Sequence, residues 1–199
     1  TLADIGYASG LHKESTLITV KAPVFSFSKM TAVDIFLGPE MKSTGEVMGT
    51  DTTYLAALRK AFVASGIRMP GKEKPVLFSI TPRDIEESLS SAQKMIDMGF
   101  TIAGTDGTCA FYRKHGLKCM LIKKEDVVVA IKNHKISMVV NTPTRGKLKD
   151  RLGFILRRTT MEWDVPCLTS LDPLGALLSI MDATNIEQHL IPLHEYLTY

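Results

Sequence analysis

In this 199-residue chain, the stretch Gly104-Thr105-Asp106-Gly107-Thr108 has the residue types and spacing best suited to anion chemistry. It lies between an apolar segment, Phe100 to Ala103, that reads as a strand and a segment, Cys109 to His115, that reads as a helix stopped by Gly116. Glycines let the backbone turn sharply and leave its N–H groups open. A helix N-terminus adds partial positive charge, and threonine hydroxyls donate hydrogen bonds. The same residue types also cap helices with no ligand present, and Asp106 reads as such a cap. The stretch alone leaves both readings open, a phosphate cradle or a helix cap.

The elements around the turn set how it is presented. Val76 to Ile80 is a short apolar run suited to a buried parallel strand. Thr81-Pro82-Arg83-Asp84 reads as a helix start, with an N-cap threonine, a proline in the first turn and an acid after it. Ile85, Leu89, Ala92 and Ile96 then recur at helical spacing, and Gly99 ends the run. A strand at Lys118 to Ile122, a helix over 125–133, a strand at Met138 to Asn141 and a helix over 150–162 follow. Val165 to Leu168 is the last strand. Asp172-Pro173 opens a final helix carrying Leu174, Leu177, Leu178 and Met181.

Strand and helix alternate five times over about 110 residues. That pattern predicts a doubly wound α/β domain with a five-stranded parallel sheet. Ligands of such sheets lie beyond the carboxyl ends of the strands. Three loops leave those ends: the Gly/Thr turn, Lys123-Lys124, and Asn141 to Lys147. All three carry phosphate-compatible groups.

The N-terminal third is less regular. Residues 1–15 read as a loose, partly helical segment. Thr16 to Phe27 is rich in β-branched and aromatic residues and reads as a strand, bent or at an edge because Pro23 lacks an N–H. Residues 28–50 read as a long irregular connection, and a loop of that length is usually functional or pinned to something. Thr53 to Ser65 has Leu55, Leu58, Phe62 and Val63 at helical spacing, with Gly66 at its end. Residues 67–74 carry Pro70-Gly71 and a charge run with no apolar period, so a domain boundary is placed there. The expected organisation is a unit at 1–70, a domain at 71–185 and a tail at 186–199.

Composition narrows the function classes. The chain is 45% hydrophobic and 23% charged, as expected of a globular protein with a sizeable core. A net charge of +3 is too small to argue for nucleic acid. No apolar run reaches the length of a membrane span, so no membrane partner is expected. The first residues have neither a basic start nor an apolar stretch, so no signal peptide is expected. Cys109, Cys119 and Cys167 lack paired spacing and read as reduced thiols of a cytoplasmic protein. Five scattered histidines show no metal-ligand spacing.

Residues 38–49, Gly-Pro-Glu-Met-Lys-Ser-Thr-Gly-Glu-Val-Met-Gly, closely resemble a signature of the large subunit of carbamoyl-phosphate synthase. Lys21 to Lys29, Lys-Ala-Pro-Val-Phe-Ser-Phe-Ser-Lys, fits the same place. In that family the signature ends the second ATP-grasp half, which makes carbamoyl phosphate. Residues 75–183 look like the family's C-terminal regulatory domain, of methylglyoxal-synthase-like fold. The resemblance implies a small α/β remnant of an ATP-grasp domain followed by an allosteric domain. The resemblance implies that the chain is only the C-terminal part of a much larger subunit, and the absence of an initiator methionine agrees with an excised piece. The parent would use bicarbonate, glutamine-derived ammonia and two ATP, partnered by a glutaminase small subunit. ATP and Mg or Mn would bind upstream, with no cofactor and no catalytic residue in this segment.

The resemblance also assigns residues. Thr105 and Thr108, with Gly107 between them, match the phosphate-binding Gly/Thr loop for a nucleotide monophosphate or phosphoribosyl pyrophosphate effector. Ser79, Lys124, Asn141 and Thr142 match further contacts of that effector site. Hydroxyls, backbone N–H groups and an ammonium around a dianion make chemical sense of that match. Thr169 matches an interface residue. The 38–49 loop, with Lys42 and Glu46, is expected to carry the signal between domains. Two residues depart from the pattern. Ile85 stands where nucleotide-binding relatives often carry lysine, and Ala22 stands where ornithine-activated relatives carry glutamate. Ala22 argues against ornithine activation and toward pyrimidine rather than arginine synthesis. Two other outcomes remain. One is a regulatory remnant that binds no effector. The other is methylglyoxal synthase itself, which needs a carboxylate base that the loop after the fourth strand lacks before Asp150.

Overall fold

The structure is a computed structural model. It describes residues 1–7, 9–11, 14–30, 33–38, 41–42, 45–144, 151–183, 186, 189–190 and 192–198, apart from the side chains of Ser28, Leu193, Leu197 and Thr198.

Seven strands form two sheets among the described residues. The first is a hairpin of β1 (Ile18–Val24) and β2 (Gly45–Asp51), paired antiparallel with Val20 opposite Gly49. The expected irregular connection over 28–50 therefore ends in a strand. Gly45-Glu46-Val47-Met48-Gly49 looks like a loop because its glycines break the apolar alternation. The structure shows what Gly49 is for. A Cβ there would stand 2.1 Å from the Ala57 carbonyl oxygen and 2.4 Å from the Ala61 nitrogen. Helix α1 (Tyr54–Ala64), capped by the Thr53 side chain accepting from the Ala56 N–H, lies directly on the strand at that point. Glycine is the residue that permits this approach.

The second sheet is all-parallel, in the order β5-β4-β3-β6-β7. Its strands are β3 (Val76–Ser79), β4 (Ile102–Gly104), β5 (Met120–Leu121), β6 (Met138–Asn141) and β7 (Cys167–Leu168). The order reverses direction between β3 and β6, as in a doubly wound fold. The helices are α2 (Ser88–Asp97), α3 (Asp106–Lys114), α4 (Val127–Lys132), α5 (Leu152–Glu162) and α6 (Leu171–Asp182).

The pleat sorts the core into two layers. Val76, Phe78, Ile102, Met138, Val140 and Leu168 turn to one face and pack with Met95 of α2, Tyr112 of α3 and Leu174 and Leu177 of α6. Leu77, Ala103 and Val139 turn to the other face and meet Val127 and Ile131 of α4 and Leu156 of α5. Both faces are covered, so the central strands read as continuous apolar runs. Leu58 and Phe62 of α1 join the first layer, and Ile67 and Met69 pack against it. Ile67 and Met69 thus anchor the stretch where a domain boundary is expected.

Two element bounds move for local reasons. The helix expected to start at Thr81-Pro82 begins at Ser88, after a turn over 82–87. The Thr81 hydroxyl donates to the Asp84 carboxylate at 2.9 Å and does not cap a helix N–H. One described residue of the expected tail meets the hairpin unit. His189 returns to the hairpin unit, where its Nδ1 lies 3.0 Å from Asp51 Oδ1 and its backbone N–H donates to Oδ2 at 3.2 Å.

Candidate functional site at the sheet's switch point

The carboxyl ends of β3 and β6 lie side by side, with Ser79 opposite Asn141. The ends of β4 and β5 continue the row, with Gly104 opposite Leu121. This places Ser79, Thr105, Thr108, Asn141 and Thr142 along one rim of the sheet, with Lys124 in the turn after β5. A crevice at such a reversal is where open α/β sheets bind ligands.

The Gly/Thr turn is built around Gly104. A Cβ there would lie 2.9 Å from the Cys109 nitrogen and 3.0 Å from Cys119 Sγ. The missing side chain lets α3 start directly over the end of β4. Thr105 occupies the N-cap position in extended conformation, but its side chain makes no capping bond. Its carbonyl accepts from the Cys109 N–H at 2.8 Å. Gly107 is exposed, and a Cβ at that position would meet nothing within 4 Å. Of the two glycines, only Gly104 is required by space.

Thr108 and Thr142 are placed otherwise than the open cradle implies. Both are buried. Thr108 Oγ1 accepts from the Ile80 N–H at 3.0 Å. Thr142 Oγ1 accepts from the Thr81 N–H at 2.9 Å and lies 3.2 Å from Thr81 Oγ1. Thr81 Oγ1 in turn donates to Asp84. The two threonines thus staple the chain leaving β3 to the ends of β4 and β6. Asn141 is buried below them and donates from Nδ2 to the Ser79 carbonyl at 2.9 Å. Lys124 is exposed. The segment 145–147 of the third loop, and Asp150, lie outside the described residues.

The electrostatics of the rim centre on Asp84. The Arg83 guanidinium, 2.7 Å away, holds its carboxyl below the usual range, and the hydroxyls of Thr81 and Thr142 act the same way against the opposing effect of burial. Arg83 is thereby paired within its own turn. Ile85 packs against the apolar core, so it offers no charge to the crevice. Burial pushes the thiols near the rim upward, Cys119 to about 12 and Cys167 to about 11, which keeps both protonated and inert at neutral pH.

The residues expected between domains lie apart from the rim. Lys42 Nζ donates to the carbonyls of Asp34 at 3.4 Å and Phe36 at 2.9 Å. Glu46 pairs with Lys21 across the hairpin at 3.0 Å, with both side chains more than half exposed. Thr169 follows β7 at the sheet edge, and Ala22 sits opposite Val47 in the hairpin. Contacts between the N-terminal segment and the sheet domain come from other residues. Arg157 of α5 bonds both carboxylate oxygens of Asp34. Arg158 donates to the carbonyls of Phe27, Met30 and Val33. Sequence reasoning passed over this pair because two arginines in a helix look like a solvated face. The apolar Leu156 immediately before them was the available signal.

The comparisons with known proteins fall on the same elements. A family model described as MGS-like domain matches residues 87–169, which run from the start of α2 through β7. The carbamoyl phosphate synthase large chain of Caldanaerobacter subterraneus subsp. tengcongensis is 40% identical over 185 residues, 93% of this chain and 17% of that one. This chain thus carries an MGS-like domain in residues 87–169 and matches the C-terminal part of carbamoyl phosphate synthase large chains. The large chain of Thermoanaerobacter sp. strain X514 is 39% identical over 196 residues, 98% of this chain and 18% of that one. This chain therefore spans less than a fifth of the length of the curated relatives it matches. A solved methylglyoxal synthase from Elizabethkingia anophelis NUHP1 aligns with a TM-score of 0.46 and 16% identity, over 67% of this chain and 95% of that one. Among the described residues, no group of three or more His, Cys, Asp or Glu could hold a metal ion, and no helix is long and apolar enough to cross a membrane.

Proposed function

We propose that this chain is the C-terminal allosteric segment of a glutamine-hydrolysing carbamoyl-phosphate synthase large subunit. It senses a phosphorylated effector in the crevice between β3 and β6. The parent reaction joins bicarbonate and glutamine-derived ammonia with two ATP to give carbamoyl phosphate. Catalysis, ATP and Mg or Mn belong to the rest of that subunit, with a glutaminase small subunit as partner. In this reading the segment itself supplies no catalytic group.

The observation that carries this reading is the turn that starts α3 at the switch point, where the Thr105 side chain at the N-cap makes no capping bond, beside the paired ends of β3 and β6. A phosphate there meets the N–H groups at the start of α3, the Thr105 hydroxyl and the Lys124 ammonium. The effector acts by favouring one of two states of the enzyme. The departure at Ala22 supports service in cytoplasmic pyrimidine synthesis.

Calorimetric titration of the 199-residue chain with UMP, IMP and phosphoribosyl pyrophosphate tests this directly. Saturable binding of at least one is expected. Thr105→Ala and Lys124→Ala should each weaken it by about 1–3 kcal/mol. Silence with all three rejects the effector reading in favour of a second one, a regulatory remnant kept for contact with the rest of the subunit. Specific observations favour that alternative. The hydroxyls of Thr108 and Thr142 are already engaged, and Ile85 is packed into the core. Robust turnover of dihydroxyacetone phosphate would instead make the chain a methylglyoxal synthase.

A further inference from the structure

One buried polar chain leads from the crevice into the N-terminal segment. Arg157 is 5% exposed and reaches partners on two sides. Its Nη1 donates to Asn141 Oδ1 at 2.6 Å. Its Nε donates to Asp34 Oδ1 at 2.6 Å, and its Nη2 to Oδ2. Asp34 also accepts from the Phe36 N–H at 3.0 Å, and its carbonyl is held by Lys42. The chain therefore runs Ser79, Asn141, Arg157, Asp34, Phe36.

The chemistry of this chain has a direction. A guanidinium can only donate, so Asn141 must turn its oxygen toward Arg157. That leaves Nδ2 for the Ser79 carbonyl and fixes a donor group at the end of β6. Asp34 occupies the remaining edge of the guanidinium in a bidentate pair, which fixes its plane. Room for the arrangement comes from Gly153. A Cβ there would lie 3.2 Å from Arg157 Nη1 and 3.4 Å from Asn141 Oδ1.

We infer that Arg157 is a positioning residue through which the segment around Asp34 sets the orientation of the Asn141 amide at the crevice. The segment that clamps the N-terminal unit to α5 thus reads, and is read by, the end of β6. When Asp34 withdraws, the guanidinium is free to rotate. The Asn141 amide loses its fixed polarity, and with it the bond from Nδ2 to the Ser79 carbonyl at the end of β3. This route lies through residues 33–36, upstream of the loop expected to carry the signal. In its ligand arm the inference rests on the effector reading above; its exchange arm does not.

The test is amide hydrogen exchange of the full chain without ligand, for wild type, Asp34→Asn, Arg157→Lys and Arg158→Lys. Asp34→Asn is isosteric. Arg157→Lys keeps the charge but cannot span both partners. Both should speed exchange at residues 79–81 and 141–142 by about tenfold, the equivalent of one lost hydrogen bond. Arg158→Lys releases the carbonyls of Phe27, Met30 and Val33 without touching Asn141, so it should speed exchange at 27–33 alone. Unchanged exchange at 79–81 and 141–142 in Asp34→Asn overturns the inference. So does an equal effect from Arg158→Lys, which would reduce the link to general clamping. In the ligand arm, UMP should bind Asp34→Asn about fivefold or more weakly than wild type. UMP binding that is equal in both overturns the inference but keeps the effector site. No binding of UMP, IMP or phosphoribosyl pyrophosphate to wild type removes the effector reading, and the exchange arm still decides the link.

Discussion

The molecule holds two polar clusters of opposite character. At the end of β2, Asp51 is fully buried and carries a charge. Lys60 sits 2.8 Å from Oδ2, His189 bonds both oxygens, and the Thr52 N–H donates to Oδ1 at 2.7 Å. At the switch point, the rim groups are hydroxyls and an amide bonded to backbone, with the charged Arg157 and Asp84 bonding to them from either side. Removing one member of a buried ion pair strands the other and is costly. A neutral hydroxyl changes partners for about 1 kcal/mol. The first cluster is built to hold α1, β2 and the C-terminal segment together. The second can give up its internal bonds to a ligand.

The largest effect should come from the charged cluster. Asp51→Ala leaves the Lys60 ammonium, itself donating to the Thr50 and His189 carbonyls, without its counter-charge. A loss of about 3–5 kcal/mol in urea unfolding is expected. A loss under about 1 kcal/mol would remove the distinction between the clusters.

The pH dependence sharpens the same point. Burial alone would push the Asp51 carboxyl up, but hydrogen bonds from Lys60, His189 and Thr52 outweigh it and hold the group well below the usual range. Its folded-state value is depressed. The stabilisation is therefore complete above the ordinary carboxylate value and drains as pH falls through the folded value. Protection of the His189 segment in hydrogen exchange should persist at about pH 5 and fall only below about pH 4. Loss at higher pH would mean that another group governs the contact. Asp51→Asn should flatten this acid limb.

Thr108→Val should cost less. The swap leaves the Ile80 N–H buried without its acceptor, at about 1–3 kcal/mol by thermal or urea unfolding. A neutral result would show that the staple carries no load and that the hydroxyl is wholly available to a ligand. Lys21→Ala, which breaks only the exposed pair with Glu46, should change stability by at most about 1 kcal/mol.

The parallel sheet was legible in the sequence because its signals are short-range. Val76 to Ser79 and Met138 to Asn141 are apolar runs with clear ends, and Leu174, Leu177 and Leu178 show helical spacing. The hairpin partner β2 was not legible, since Gly45 and Gly49 suit a loop until α1 is seen pressed against the strand. Thr81-Pro82-Arg83-Asp84 carried a sound helix-start pattern. Tertiary bonding to Thr142 won over it, and the helix begins six residues after the proline. At the site, the types of the rim residues pointed to the strand ends, and the structure lines Ser79, Thr105, Asn141 and Thr142 along one rim. What the sequence could not show was which hydroxyls are spent on the backbone, because that depends on strand order. The Asp34–Arg157 and Asp51–His189 contacts were missed for the same reason: they join residues 123 and 138 positions apart in the chain.

The central claim is that the turn at the switch point, and not the hairpin unit, takes a phosphorylated effector. UMP titration of wild type, Thr105→Ala and Lys21→Ala side by side addresses it most directly. The account predicts saturable binding to wild type, a loss of about 1–3 kcal/mol in Thr105→Ala, and no change in Lys21→Ala. Equal affinity in all three would contradict it, because the ligand would then sit somewhere other than the turn that begins α3.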